Sequence, residues 1–154
     1  MKAVTFSYDD GVTQDIRLVE ILNRYNLKAT FNLNSELLGK DGSLDILGKR
    51  ILHNKIQPHE ITEVYKGHEI AAHTLTHPDM TEMPADEVIR QVEQDRLNLS
   101  ELSGTEVIGM AYPGRQPNYN SRIARIIKNG TGVKYARTTI CNKDFSYQND
   151  LYEF

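Results

Sequence analysis

Residues 2–11 read KAVTFSYDDG, a run rich in β-branched and aromatic residues that stops at an acidic turn. Such side chains favour strands and Asp-Asp-Gly is a turn signal, so the stretch predicts a first strand over residues 2–8 and a polar loop after it. A secretory leader would begin with a basic region and an apolar stretch, and neither precedes this strand. If Met1 is the native start, we therefore expect a cytoplasmic protein.

Strand-like runs alternate with amphipathic stretches along the rest of the chain. Further strands are predicted over residues 28–33, 69–73, 107–112 and 133–139, and helices over residues 13–25, 44–52, 58–65, 84–102 and 121–128. Parallel neighbouring strands need crossover helices between them. The alternation therefore predicts a single α/β domain over residues 1–154, with a mainly parallel sheet or barrel.

Composition excludes several functional classes. With 18 Lys and Arg against 21 Asp and Glu, the formal net charge is −3, which lacks the basic excess of a nucleic-acid binder. A loose basic set is interpreted as a solvated face: Lys134, Arg137 and Lys143. The single cysteine, Cys141, excludes an internal disulfide framework and a cysteine-rich zinc site. No apolar run reaches the roughly 18–20 residues of a membrane helix.

The first polar cluster, Asp9-Asp10-Gly11, lies where the first predicted strand ends. Functional groups of parallel α/β proteins gather in such loops. Adjacent carboxylates on a turn point in different directions, so one can bind a cation while the other handles a proton. A helix cap is the alternative use of an aspartate at this place, and the cluster taken alone favours it.

The second polar cluster, HTLTHP at residues 73–78, follows a predicted strand. Its two threonines and its proline disfavour a helix, so His73 and His77 lie in a strand-end loop. They can share one metal ion, or each can be an ordinary surface or hydrogen-bonded histidine. The other three histidines show no such spacing and are interpreted as structural or exposed: His53, His59 and His68.

Together the two clusters supply two imidazoles and one carboxylate, a ligand set that leaves open positions for water as catalytic metal sites do. Zinc, cobalt, manganese or iron would fit. The second aspartate would then be the general base for bound water. The same ligands hold iron(II) in oxygenases, which is an alternative chemistry. A neighbouring carboxylate base suits hydrolysis better.

The two clusters also resemble the motifs of a known family. TFSYDDG at residues 5–11 and GHEIAAHTLTHP at residues 67–78 are similar to those of polysaccharide deacetylases of the NodB-homology type, carbohydrate esterase family 4. KATFNL at residues 28–33 resembles the second strand of that family. The resemblance runs from residue 2 to about residue 112. It implies a distorted (β/α) barrel, which we expect to be incomplete towards the C-terminus.

The resemblance also implies roles for individual residues. Asp9 would be the catalytic base, and Asp10, His73 and His77 would bind a divalent metal, with zinc the first candidate. The expected partner is an N-acetylated carbohydrate, as in chitin or peptidoglycan. The metal would polarise the amide carbonyl and activate a bound water, from which Asp9 takes the proton.

A third motif is only partly matched, by MAYPGR at residues 110–115. Tyr112 and Pro113 resemble the wall of the substrate groove in the family. Arg115 stands a few residues later than the arginine of the family motif. Candidate substrate-binding residues are therefore Tyr112, Pro113 and Arg115, although packing at a strand end would explain Tyr112 equally well.

Two family features are missing from the C-terminal part. The chain has no histidine after His77 and no tryptophan, so the general acid of the family has no counterpart. Losing general acid–base help typically costs ~10²–10⁴-fold in rate. The abrupt apolar end at residues 150–154 favours a truncated barrel over a docked terminal segment. An open barrel edge could be covered by another subunit. The alternative hypothesis is a weakly active or inactive module that binds metal and glycan.

Overall fold

The computed structural model describes residues 4–115, 117–140 and 150–153. Its strands are β1 (Ser7–Asp9), β2 (Thr30–Leu33), β3 (Ser43–Ile46), β4 (Lys49–Leu52), β5 (Glu69–Ala72), β6 (Gly109–Ala111) and β7 (Tyr135–Arg137). Its α-helices are α1 (Asp15–Arg24), α2 (Ile61–Val64), α3 (Ala85–Ile89), α4 (Asp95–Ser103) and α5 (Ser121–Gly130). Short 3₁₀ turns occur at Ser35–Leu37 and Pro58–Glu60, and a π-helical turn, Arg90–Gln94, joins α3 to α4.

Five strands form one parallel sheet in the order β1-β2-β5-β6-β7. A hydrogen bond between the two edge strands shows that the sheet is curled. Arg137 on β7 donates from Nε to Ser7 Oγ on β1 at 2.9 Å. Within the described residues the sheet stays open between these edges. The fold is therefore an incomplete barrel of parallel strands and helices, as the sequence analysis expects.

The hydrophobic core lies between the convex face of the sheet and the helices. Side chains alternate along each strand, so Phe31 and Leu33 of β2 are fully buried in the core while Asn32 lies on the concave face. The helices contribute residues that are also fully buried: Val88, Val92, Leu99, Ile123 and Ile127. The carboxyl ends of all five strands meet at one edge, which is where the two polar clusters must lie.

The predicted helix over residues 44–52 is wrong, because this stretch is the antiparallel hairpin β3–β4. Leu47 and Gly48 form the turn, and both have positive φ angles, 53° and 74°. Two-residue hairpin turns require such angles. The apolar residues pair across the hairpin, Leu44 opposite Ile51, instead of lining one side of a helix. Every residue of the two strands is exposed.

The other predicted elements are present, with the later strands shorter than predicted. The first strand begins only at Ser7 and ends one residue later than predicted, and residues 2–3 of that prediction lie outside the described residues. The long predicted helix is continuous from Ala85 to Ser103 through the π-helical turn, and it ends at Gly104 in the left-handed conformation with φ 69°. Among the described residues, no helix is long and apolar enough to cross a membrane. Near the end of the chain, the Ala136 amide donates to the Leu151 carbonyl at 2.7 Å, so residues 150–153 lie beside β7.

Candidate active site

Asp10, His73 and His77 meet at the carboxyl edge of the sheet, as the sequence predicts. Each offers one ligand atom, and these three atoms lie within 4.8 Å of one another. The two imidazole rings are 4.9 Å apart between centroids and inclined by 68°. The Asp10 amide donates to the Asn32 carbonyl at 2.9 Å, which ties the aspartate loop to the adjacent strand β2.

His73 is held in the tautomer that a metal ligand needs. Its side chain is buried, and Nδ1 donates a hydrogen bond to the Ala111 carbonyl at 2.9 Å. The proton on Nδ1 leaves the lone pair on Nε2, the usual way in which a ligating histidine is oriented. Burial lowers the pKa of His73 although the Asp9 carboxylate acts against it, so the neutral imidazole is favoured. Two imidazoles and a carboxylate are the donor set of catalytic zinc sites, so these residues fit a divalent metal.

The backbone of the ligand loops is strained. Asp10, Thr74 and His77 have positive φ angles of 81°, 68° and 59°. Such conformations are costly for residues with a side chain, and they persist only where the surrounding structure enforces them. At Gly11, with φ 60°, a Cβ atom would also come within 2.8 Å of Leu33 Cδ2, so this position requires glycine. Three of the five non-glycine residues with positive φ among the described residues therefore lie in the two loops of the candidate site.

Asp9 is bound by a different set of partners. Its Oδ1 accepts a hydrogen bond from Asn32 Nδ2 at 2.8 Å and a second one from the guanidinium of Arg137. The interpretation of Arg137 as part of a solvated face is therefore wrong, and Lys143 of that basic set lies outside the described residues. Arg115, the arginine considered from the sequence, is exposed.

Two further residues surround Asp10. His53 Nε2 lies 3.4 Å from Asp10 Oδ2, and Lys55 Nζ lies 3.5 Å from Oδ1. His77 Nε2 lies 3.6 Å from the same Oδ1 atom. Burial would raise the pKa of Asp10, but Lys55 and the three nearby imidazoles, those of His73, His77 and His53, together lower it. His53, interpreted from the sequence as structural or exposed, thus lies beside Asp10, while His59 is exposed as expected.

A buried carboxylate beneath the loops supports His73. Asp95, at the start of α4, is fully buried and accepts hydrogen bonds from the backbone amides of Ser35 at 2.7 Å and His73 at 2.9 Å. Burial raises the pKa of Asp95 to about 7. The π-helical turn contributes as well, since the Gln91 carbonyl accepts from the Leu75 amide at 3.0 Å. The sequence gives no indication of Asp95 or Gln91 as partners of this loop, because both lie well beyond it along the chain.

The predicted substrate-binding residues follow β6, whose last residue, Ala111, accepts the hydrogen bond of His73. Tyr112 is 1% exposed, stacks on Tyr119 and donates its hydroxyl to the Tyr152 carbonyl at 2.8 Å. Pro113 is buried and Arg115 is exposed. The burial of Tyr112 agrees with packing at a strand end. A substrate-binding role for the three residues stays a prediction.

Comparison with known proteins identifies the relatives of the chain. A sequence model described as "Polysaccharide deacetylase" matches residues 1–136. A bifunctional xylanase/deacetylase of Pseudobutyrivibrio xylanivorans is 27% identical over 107 residues, which cover 69% of this chain and 15% of that protein. The peptidoglycan-N-acetylglucosamine deacetylase PgdA of Listeria monocytogenes is 23% identical over 151 residues, covering 96% of this chain and 28% of that protein. The chain thus spans less than a third of either curated relative.

Solved structures share the fold at low sequence identity. The deacetylase PplD of Streptococcus pyogenes, solved with acetate, superposes with a TM-score of 0.69 at 22% identity, over 86% of this chain and 54% of that one. BA3943 of Bacillus anthracis, described as a pseudoenzyme of carbohydrate esterase family 4, superposes with a TM-score of 0.62 at 18% identity. That match covers 88% of this chain and 43% of the other.

Proposed function

Because this chain belongs to the polysaccharide deacetylase family, we propose that it removes acetyl groups from an N-acetylated carbohydrate by metal-dependent hydrolysis. The observation that carries the proposal is the meeting of three metal-ligand atoms within 4.8 Å, beside a second carboxylate with partners of its own. Asp10, His73 and His77 would hold the ion, for which zinc is the first candidate, with cobalt, manganese and iron as alternatives.

Asp9 is the proposed general base. A divalent ion at the three ligands supplies Lewis-acid activation of water and of the acetyl carbonyl. Asp9 accepts the hydrogen bonds of Asn32 and Arg137 on Oδ1, and we assign proton uptake to its Oδ2. Donors on two different strands, β2 and β7, hold this carboxylate in one orientation. Such preorganisation is what a base needs in order to act at a fixed reacting atom.

The substrate is proposed only as a class, an acetylated glycan. One relative is named for xylan and deacetylation and the other for N-acetylglucosamine of peptidoglycan, so these names suggest acetylated polymers of different sugars. We favour the N-acetyl amide as the bond that is hydrolysed.

A second candidate function is a metal- and glycan-binding module without turnover. The family resemblance implies a general-acid histidine beyond His77, which this sequence does not contain, and a solved structure with the same fold is described as a pseudoenzyme.

Acetate release separates the two functions. The purified chain, loaded with zinc or cobalt, is incubated with N-acetylglucosamine oligomers and with peptidoglycan, and acetate is measured enzymatically. The proposal predicts release that stops on chelation and in Asp9→Asn. Binding of the glycans with no acetate would reject the enzyme in favour of the module.

A further inference from the structure

The segment at residues 53–56, which follows the hairpin, lies beside the loop after β1 and forms one antiparallel β-bridge with it, between Lys55 and Val12. The Ile56 amide donates to the Gly11 carbonyl at 2.9 Å, and the Thr13 amide donates to the Asn54 carbonyl at 2.8 Å. Backbone hydrogen bonds therefore set the position of this segment relative to the two aspartates. Side-chain flexibility contributes little to that position.

Alternation along the segment decides which side chains reach the site. Successive side chains of an extended segment point to opposite sides. Ile56 is fully buried in the core. His53 and Lys55, at alternate positions before it, point to the other side, and both reach Asp10. The His53 amide also donates to the Gly42 carbonyl at 2.8 Å, which anchors His53 to the base of the hairpin.

The two oxygens of Asp10 have different neighbours. Oδ1 lies 3.6 Å from Nε2 of His77, a member of the candidate ligand group, and 3.5 Å from Lys55 Nζ. Oδ2 is the oxygen near His53, at 3.4 Å from Nε2. An imidazole on the far oxygen of a ligating carboxylate is the arrangement in which outer groups orient a metal ligand. Asp10 needs such support because its own backbone is strained, with φ 81°.

We propose that His53 is a positioning residue of the candidate metal site, whose Nε2, 3.4 Å from Asp10 Oδ2, pairs with that oxygen so that Oδ1 stays directed towards His73 and His77. The inference rests on the proposed function insofar as these three residues hold a divalent ion. In this proposal the exposed hairpin β3–β4 contributes to the site, because the base of the hairpin fixes the position of His53.

The test measures metal affinity and needs no glycan. Zinc binding to the full chain is followed by competition with a chromophoric chelator, and the cobalt complex by its visible absorption, for the parent, His53→Leu and His53→Gln. His53→Leu should bind zinc about 10–100-fold more weakly, the usual effect of removing an outer-shell partner. His53→Gln should recover most of the affinity, because a side-chain amide N–H can donate to the same oxygen. His59→Leu removes an exposed histidine from the same region and should match the parent.

Two outcomes would overturn the role of His53. Parent-like affinity in His53→Leu would show that Asp10 needs no partner on Oδ2. Equal weakness of His53→Gln and His53→Leu, with a changed cobalt spectrum, would make His53 a direct ligand instead. If His53→Leu does not fold, His53→Ala gives the same comparison. A parent that binds zinc but releases no acetate would reject the proposed function and leave this inference intact, whereas a parent that binds no ion would reject both.

Discussion

The two adjacent aspartates face two different regions of the molecule. Asp9 lies on the concave face of the sheet, where its partners are the Asn32 amide and the Arg137 guanidinium on neighbouring strands. Asp10 lies among the loops at the carboxyl edge, where its neighbours are imidazoles and the Lys55 ammonium. The backbone enters the left-handed region at Asp10, with φ 81°, so the two adjacent carboxylates point into different regions of the molecule.

The regions also differ in how they hold their side chains. On the concave face, hydrogen bonds between strands surround a cavity of about 390 Å³, for example Tyr135 to Glu69 at 2.6 Å and Thr30 to Glu69 at 2.5 Å. The edge instead keeps its ligands on loops with strained backbone. A rigid strand suits a base that must keep one orientation, while strained loops bring ligands from distant elements to one point.

The largest expected effect separates the two regions by metal content and turnover. His77→Ala should lose both the bound ion and acetate release, because it removes a ligand. Asp9→Asn should keep the ion and lose turnover by ~10²–10⁴-fold, the usual worth of a general base. Zinc content by atomic absorption, measured beside acetate release, checks both. If Asp9→Asn were as active as the parent, the base would be elsewhere.

A smaller effect is expected from Arg137, which acts through Asp9. Arg137→Met should lower kcat by roughly 10–100-fold, since a misplaced catalytic group costs up to about 10²-fold, while zinc affinity stays at the parent value. Added guanidinium ions should restore part of the rate, which a general loss of folding would not allow. Arg17→Met, at an exposed arginine of α1, is the matched control. Equal activities of the two variants would contradict the pairing.

Asp95 tests how the edge region is supported from below. Asp95→Asn would turn an amide N–H₂ towards one of the two backbone amides that now donate to the carboxylate. The free energy of unfolding should fall by about 1–3 kcal/mol, the cost of an unsatisfied buried donor. Urea unfolding measures it, with the exposed Asp41→Asn as control. A loss no larger than that of the control would show that the loops do not depend on Asp95.

The smallest effect is a pH dependence from Asp15, at the start of α1. Burial raises the pKa of Asp15 to about 6 from 3.8, although the Tyr65 hydroxyl donates to it at 2.7 Å. Between these pKa values the folded chain holds a proton that the unfolded chain has released, so stability falls as the pH rises towards and through 6. From pH 5 to pH 7 the expected loss is about 1 kcal/mol.

Comparing urea unfolding of the parent and Asp15→Asn at both pH values isolates this contribution, because the buried Asp95 adds the same trend to both chains. An identical pH dependence in the two chains would exclude Asp15 as its source.

Local signals in the sequence were sufficient for much of the fold and for the three residues that meet as candidate metal ligands. Strand and helix periods, the Asp-Asp-Gly turn and the spacing of His73 and His77 all depend on neighbours a few residues away, so they can be interpreted from a single chain. The same local logic failed at residues 44–52, where apolar spacing suits either a helix or a hairpin. The positive φ angles at Leu47 and Gly48 are what distinguish the two.

Only the tertiary structure decided which partners meet the carboxylates. Arg137 lies 128 residues from Asp9 along the chain, and the Ser35 amide lies 60 residues from Asp95. The curl of the sheet brings edge strand β7 across to β1, and the hairpin base carries His53 to Asp10. Such encounters depend on strand register and on the packing of whole elements. No short stretch of sequence indicates which distant residues will meet. The sequence by itself determined the two aspartates and two histidines, and the tertiary structure determined the partners that surround them.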